Sequence, residues 1–224
     1  MKTGGVVERM RIVELDLGQA YDWIVAEVAR KRPVAESMAA LIDRCGAALP
    51  HPDWAKLRRL PYGDLSSMVR WLERAFREEP PEVPLKGLWF GLFNPCPDGR
   101  TPVADMYVSR SQRFDASADD VSWAVGAEWW PDVQYANSTV LAAIYRTAYP
   151  QAASPLERDE CLANDAEYTL VLGYAAFAVR EVLGQVEPSL VLGRSEELGI
   201  AVGWDSGDAV VLGRLRTDGL VPIG

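Results

Sequence analysis

Twelve consecutive residues, Tyr168 to Val179, carry no charge, are apolar on almost every side, and are closed by Arg180-Glu181. The run is about two-thirds of the roughly 18 residues that a membrane span requires. It therefore reads as a helix enclosed by protein, and other elements must wrap it. Asn164-Asp165-Ala166-Glu167 matches a capping box at its start, and Gly184 is placed to end it as a left-handed cap. The predicted spine of the fold runs from Asn164 to Leu183.

Strands follow the spine and precede it. Gly199-Ile200-Ala201-Val202-Gly203-Trp204, a turn at Asp205-Ser206-Gly207-Asp208, and Ala209-Val210-Val211-Leu212-Gly213 predict a β-hairpin. A second hairpin is predicted from Gly87 to Phe93 and Val103 to Ser109, joined by a loop rich in Pro, Asn, Asp and Gly. Gly87 and Gly91 share one side of its first strand, so a backbone or a large ring is expected to approach there. The similarity of Val191-Leu192-Gly193-Arg194 to Val211-Leu212-Gly213-Arg214 is read as two adjacent strands, since two copies do not make a solenoid.

The N-terminal part reads as helical. Alternation at Val13, Leu15 and Leu17 suggests a short strand before Gly18, where a helix would also fit, and helical spacing runs from Ala20 to Arg32, where Pro33 ends or restarts it. A helix from Val34 to about Leu49 follows. Leu65, Met68, Val69, Leu72 and Phe76 form the stripe of another, with Asp64 as its cap, Arg74 and Glu78 spaced for an ion pair, and Pro80-Pro81 as its stop. A short helix is expected around Val140 to Tyr145, and Ser154-Pro155-Leu156-Glu157 matches a further capping box. The predicted class is α+β: a helical N-terminal part, and antiparallel β-hairpins packed against a central apolar helix. Residues 1–224 are read as one domain, with Pro80 to Pro84 as the best candidate boundary between a helical 1–80 and an α+β 85–224.

Charge is distributed unevenly. Residues 1–80 hold 13 Lys and Arg against 12 Asp and Glu, whereas residues 81–224 hold 10 against 20, so the net charge of −9 belongs to the later part. An acidic field repels nucleic acid and anionic lipid and attracts cationic partners. The expected partner is a basic protein, with no nucleic acid and no membrane. Cys45, Cys96 and Cys161 fit neither a disulfide framework nor a zinc ribbon, and charges at Glu8, Arg9, Arg11 and Glu14 interrupt any leader-like core, so the expected compartment is the cytoplasm.

Motifs that would demand a chemistry are missing. His51 is the single histidine and sits between Pro50 and Pro52, which suits a rigid loop better than a catalytic or metal role. Gly203-Trp204-Asp205-Ser206-Gly207 has its serine one position late for a nucleophile elbow, and no phosphate-binding glycine loop occurs. No cofactor and no metal are expected; Asp119-Asp120 lacks the regular oxygen-rich spacing of a calcium loop. Eight tryptophans stand out, and for Trp129-Trp130 two adjacent rings cannot readily be buried on one face, so one of them is expected to line a cleft or an interface.

Leu88-Trp89-Phe90-Gly91-Leu92-Phe93, Asp105-Met106-Tyr107-Val108-Ser109, Trp129-Trp130-Pro131 and Ala201 to Asp208 resemble patterns in bacterial proteins, some of the toxin-immunity type. The resemblance covers roughly residues 85 to 215 and implies a cytosolic inhibitor that binds one toxin through an acidic surface. The leading functional expectation is thus a non-enzymatic binding protein with Asp119, Asp120, Trp129, Trp130, Asp205 and Asp208 as contacts. The alternative is an acid-pair hydrolase acting on carbohydrate, which draws on the same aspartates and tryptophans.

Overall fold

The computed structural model describes residues 14–63, 65–93, 105–116, 122–124, 128–149, 161–204 and 207–223. The spine is present as Ala163–Ala166 (α6), a π-helical turn at Glu167–Val171, and Leu172–Leu183 (α7). Every residue from Thr169 to Val179 is buried. Gly173 and the alanines of α7 let neighbours come close: a Cβ at Gly173 would lie 2.6 Å from Leu41 of the helix Val34–Ala48 (α2).

The charged pair that ends the apolar run has a structural task. Arg180 donates to the carbonyls of Val28 at 3.1 Å and of Arg32, at the end of the helix Leu17–Ala29 (α1). Glu181 accepts from the Val34 N–H at 2.8 Å, where α2 begins. Two adjacent side chains therefore satisfy groups that a helix end and a helix start leave unpaired, and hold the α1–α2 junction on the spine. Beneath this junction Glu27 is buried and bound by Arg32 at 2.6 Å and Arg30 at 3.0 Å. Asp53–Leu57 (α3) and Ser66–Glu78 (α4) complete the N-terminal helices, with the expected Arg74–Glu78 pair at 3.1 Å.

The strands are Gly87–Leu92 (β1), Asp105–Ser111 (β2), Tyr135–Asn137 (β3), Leu198–Trp204 (β4), Ala209–Arg216 (β5) and Gly219–Val221 (β6). Both expected hairpins form, and they are joined by a parallel pairing of β1 with β4, in the sheet order β3-β2-β1-β4-β5-β6. A parallel pair needs a crossover, here supplied by Thr139–Ala148 (α5), α6, α7 and Pro188–Leu192 (α8). Leu88, Phe90, Leu92, Met106, Val108, Ile200, Val202 and Val210 are buried with the helices in one core that also contains residues before Pro80.

Four local expectations change. Residues 14–16 are not strand, and Leu17 opens α1 because the Asp16 carboxylate caps it by accepting from the Gln19 N–H at 3.0 Å. Asn164 lies inside α6, whose N-cap position is Leu162 with no side-chain bond; its side-chain amide instead lies 3.0 Å from the Tyr149 hydroxyl oxygen. Gly184 does end α7, but in a right-handed conformation, φ −75°. Of the two similar tetrapeptides, one forms the end of α8 with Gly193 at φ 57° and the other lies in β5 with Gly213 at φ 141°, so they are not paired strands. Asp64 as a cap and the box at Ser154 to Glu157 lie outside the described residues.

Candidate functional site: the aromatic face of the sheet

Alternation along the strands gives the sheet two unlike faces. One packs on helices; the other starts as a floor of small residues. In the β1–β4 pairing Gly87 stands beside Gly199, Trp89 beside Ala201, and Gly91 beside Gly203. Rings fill the space that side chains would take. A Cβ at Gly87 would meet the Trp123 ring at 2.4 Å, at Gly199 the Phe114 ring at 2.3 Å, and at Gly91 the Tyr107 ring at 1.8 Å. The approach expected at Gly87 and Gly91 is therefore made by large rings.

These rings form a continuous layer. Phe114 meets Trp123 edge-on at 5.1 Å, Trp123 meets Trp89 at 6.1 Å, and the Trp89 indole N–H donates to the Tyr107 hydroxyl at 2.9 Å. At Tyr107 the layer reaches the surface. Trp130 stacks on Tyr107 with centroids 5.5 Å apart, Phe93 lies 5.1 Å from Tyr107, and Tyr135 lies 5.8 Å from Phe93. Tyr107 is buried, whereas Phe93 is 39% exposed, Trp130 48% and Tyr135 51%. Exposed rings in mutual contact form a contiguous apolar shelf, the kind of surface that marks interaction sites.

The split of the tryptophan pair follows from the same alternation. Trp129 bridges Arg110 of β2 on the helical side, stacks on Phe76 at 5.0 Å, donates to the Glu79 carbonyl at 2.8 Å, and is 9% exposed. Trp130, one residue on, turns to the shelf. Asp208 is exposed after the hairpin turn, its carbonyl accepting from the Trp204 N–H at 3.0 Å. Asp119, Asp120 and Asp205 lie outside the described residues. Phe93, Tyr107 and Tyr135 were missed by sequence reasoning, which predicted the hairpin without a register; in the structure Tyr107 stands opposite Gly91. Tyr135 gave no such signal, because β3 is only three residues long.

Other polar clusters are satisfied locally. His51 Nδ1 accepts from the Asp53 N–H at 3.1 Å and lies 3.6 Å from the Asp53 carboxylate, contacts made within its own turn. Tyr149 donates to Glu167, and burial together with that carboxylate holds its phenol well above the ordinary tyrosine range. A groove of about 490 Å³ lies over the α1–α2 junction, lined by Lys31, Arg32, Arg180 and Glu181, and one of about 400 Å³ includes Lys86, Arg194 and Arg214. The Arg180–Glu181 pair in the first is already engaged in holding the helices.

Arg110 is the outlier among the cations. It is 1% exposed, its Nε and Nη2 have no hydrogen-bond acceptor among the described residues, and its guanidinium lies 4.8 Å from the Phe76 ring and 5.5 Å from that of Trp129. Burial pushes its pKa down to about 9, and the group remains charged near neutrality. Two aromatic faces thus stand where a carboxylate would be usual.

Among the described residues no helix is long and apolar enough to cross a membrane, and no group of three or more His, Cys, Asp or Glu is placed to hold a metal ion. No protein-family model matches the chain, and comparison with curated proteins and with solved structures gives no match.

Proposed function

We propose that this is a non-enzymatic binding protein of the inhibitor or immunity kind, which engages a basic protein through the aromatic shelf and the acidic surroundings of Trp130. The observation that carries this reading is the shelf itself: Phe93, Trp130 and Tyr135, exposed and in contact around Tyr107. From Phe114 to Tyr145 the chain holds five acidic residues and no Lys or Arg. Rigid aromatic rings supply contact area at low entropic cost, and a negative field speeds the approach of a cationic partner. The hydrolase alternative needs two carboxyl groups roughly 5–10 Å apart across a cleft; Asp119, Asp120 and Asp205, which it draws on, lie outside the described residues.

The test compares immobilised parent chain with the Trp130→Ala, Tyr135→Ala double variant in lysate of the source cell. The parent should retain one basic protein, more weakly as salt rises, and the variant, with an unchanged urea midpoint, should lose it. Equal retention by both, or an empty capture at low and moderate salt, overturns the reading.

A further inference from the structure

The rings of the shelf and the charges around them define what chemistry can settle there. Trp130 lies nearly parallel to Tyr107, at 21°, while Tyr135 is steeply inclined to the same ring, at 63°. Tyr107 is thus a shared base from which one flat and one upright ring face the solvent. Aromatic faces carry the negative end of a quadrupole and attract cations, indole most strongly. Acids hold the backbone on either side of Trp130 along the chain: the Asp132 N–H donates to Glu79 Oε1 at 2.8 Å, and Glu128 Oε2 accepts from the Gln112 N–H at 2.8 Å. With no Lys or Arg between Phe114 and Tyr145, the chain supplies no basic side chain from this segment to offset them. Phosphates and anionic lipids are repelled by such a field, and neutral sugars gain nothing from it.

Resting on the reading just proposed, we infer that the shelf receives an arginine side chain of the basic partner, its guanidinium stacked on the indole of Trp130. A guanidinium is planar and weakly hydrated, so it lies flat on an indole at lower desolvation cost than an ammonium. The molecule already uses this contact: Arg110 lies over Phe76 and Trp129, the residue next to Trp130, and Arg214 lies 5.3 Å from the Phe114 ring at the other end of the aromatic layer.

The test needs no knowledge of the partner. Three labelled Gly/Ser peptides, each carrying three arginines, three lysines or three citrullines, are titrated by fluorescence anisotropy against the full chain. The arginine peptide should bind about three- to tenfold tighter than the citrulline peptide, which keeps the planar shape without the charge. Lysine should fall between them. Trp130→Ala should remove the advantage of arginine over lysine, and Trp130→Phe should keep part of it, with urea midpoints unchanged. Equal binding of arginine and citrulline, or an arginine advantage that survives Trp130→Ala, overturns the inference. If the peptides show no preference while a basic protein is still captured through Trp130 and Tyr135, the arginine contact falls and the binding function stands. If the preference holds and no partner is captured, the function falls and the cation-binding shelf stands.

Discussion

The two faces of the sheet solve the same problem with opposite materials. On one, large side chains from β1, β2, β4 and β5 share a buried core with the helices, α7 packing on β4 and β5. On the other, glycines bring the surface down to backbone, and Phe114, Trp123, Trp89 and Tyr107 lie across it until the layer opens to solvent at Trp130, Phe93 and Tyr135. A helix layer can bury a face completely because it is as long as the strands. Single rings cover only where a loop delivers them, so the aromatic face ends in an exposed rim. The difference teaches that one side of the sheet is closed by helices, and that the recognition we propose draws on the other, open side.

Substitutions on each side should break or sharpen that contrast. The largest loss is expected at the helical face, where Phe177→Ala removes a fully buried ring from α7 and should cost about 3–5 kcal/mol in urea unfolding. On the aromatic face the sensitive residues are the glycines. Gly91→Ala would place a methyl inside the Tyr107 ring and should cost about 1–3 kcal/mol. Adding Tyr107→Ser should return part of that cost; strict additivity of the two would mean that the ring is not what the glycine accommodates.

Arg110→Met tests a charge buried on the helical face of the sheet. It keeps the contact with Phe76 and Trp129 and removes a cation whose Nε and Nη2 lack acceptors among the described residues, so stability to urea should be unchanged or raised by about 1 kcal/mol or less. A clear loss would show that the charge itself is needed there.

The smallest effect concerns pH. Burial pulls the Glu27 carboxyl upward, but the hydrogen bonds and charges of Arg32 and Arg30 outweigh it and leave the pKa below its usual value. The folded value is thus depressed, so its stabilisation is present above the unfolded carboxylate range and is lost as pH falls through the folded value. Glu27→Gln should narrow the difference between urea midpoints at pH 7 and at pH 3. An identical difference in both chains would remove Glu27 from the acid response.

Much of the fold was legible because its signals are local. The stripe from Leu65 to Phe76 and the apolar run to Val179 announce helices, and the turns announce both hairpins. The β1–β4 junction was not legible: it links Gly87 to Gly199, more than a hundred residues on, with no local mark of direction. At the ends of the spine, composition pointed to the right boundary but the wrong device, since Asn164 is occupied by Tyr149 and Gly184 needs no left-handed turn. The shelf was half visible. Adjacency said that Trp129 and Trp130 must part; which one turns outward depends on the bridge between Trp129 and Arg110, a long-range fact.

Backbone hydrogen exchange of the chain with and without its captured partner tests the separation of the two faces most directly. On binding, amides from Trp130 to Ala136 and around Phe93 should slow, while those of α7, already enclosed, should not change. Slowing confined to the groove at Arg180 and Glu181, with the segment around Trp130 unaffected, would contradict the assignment of recognition to the aromatic face.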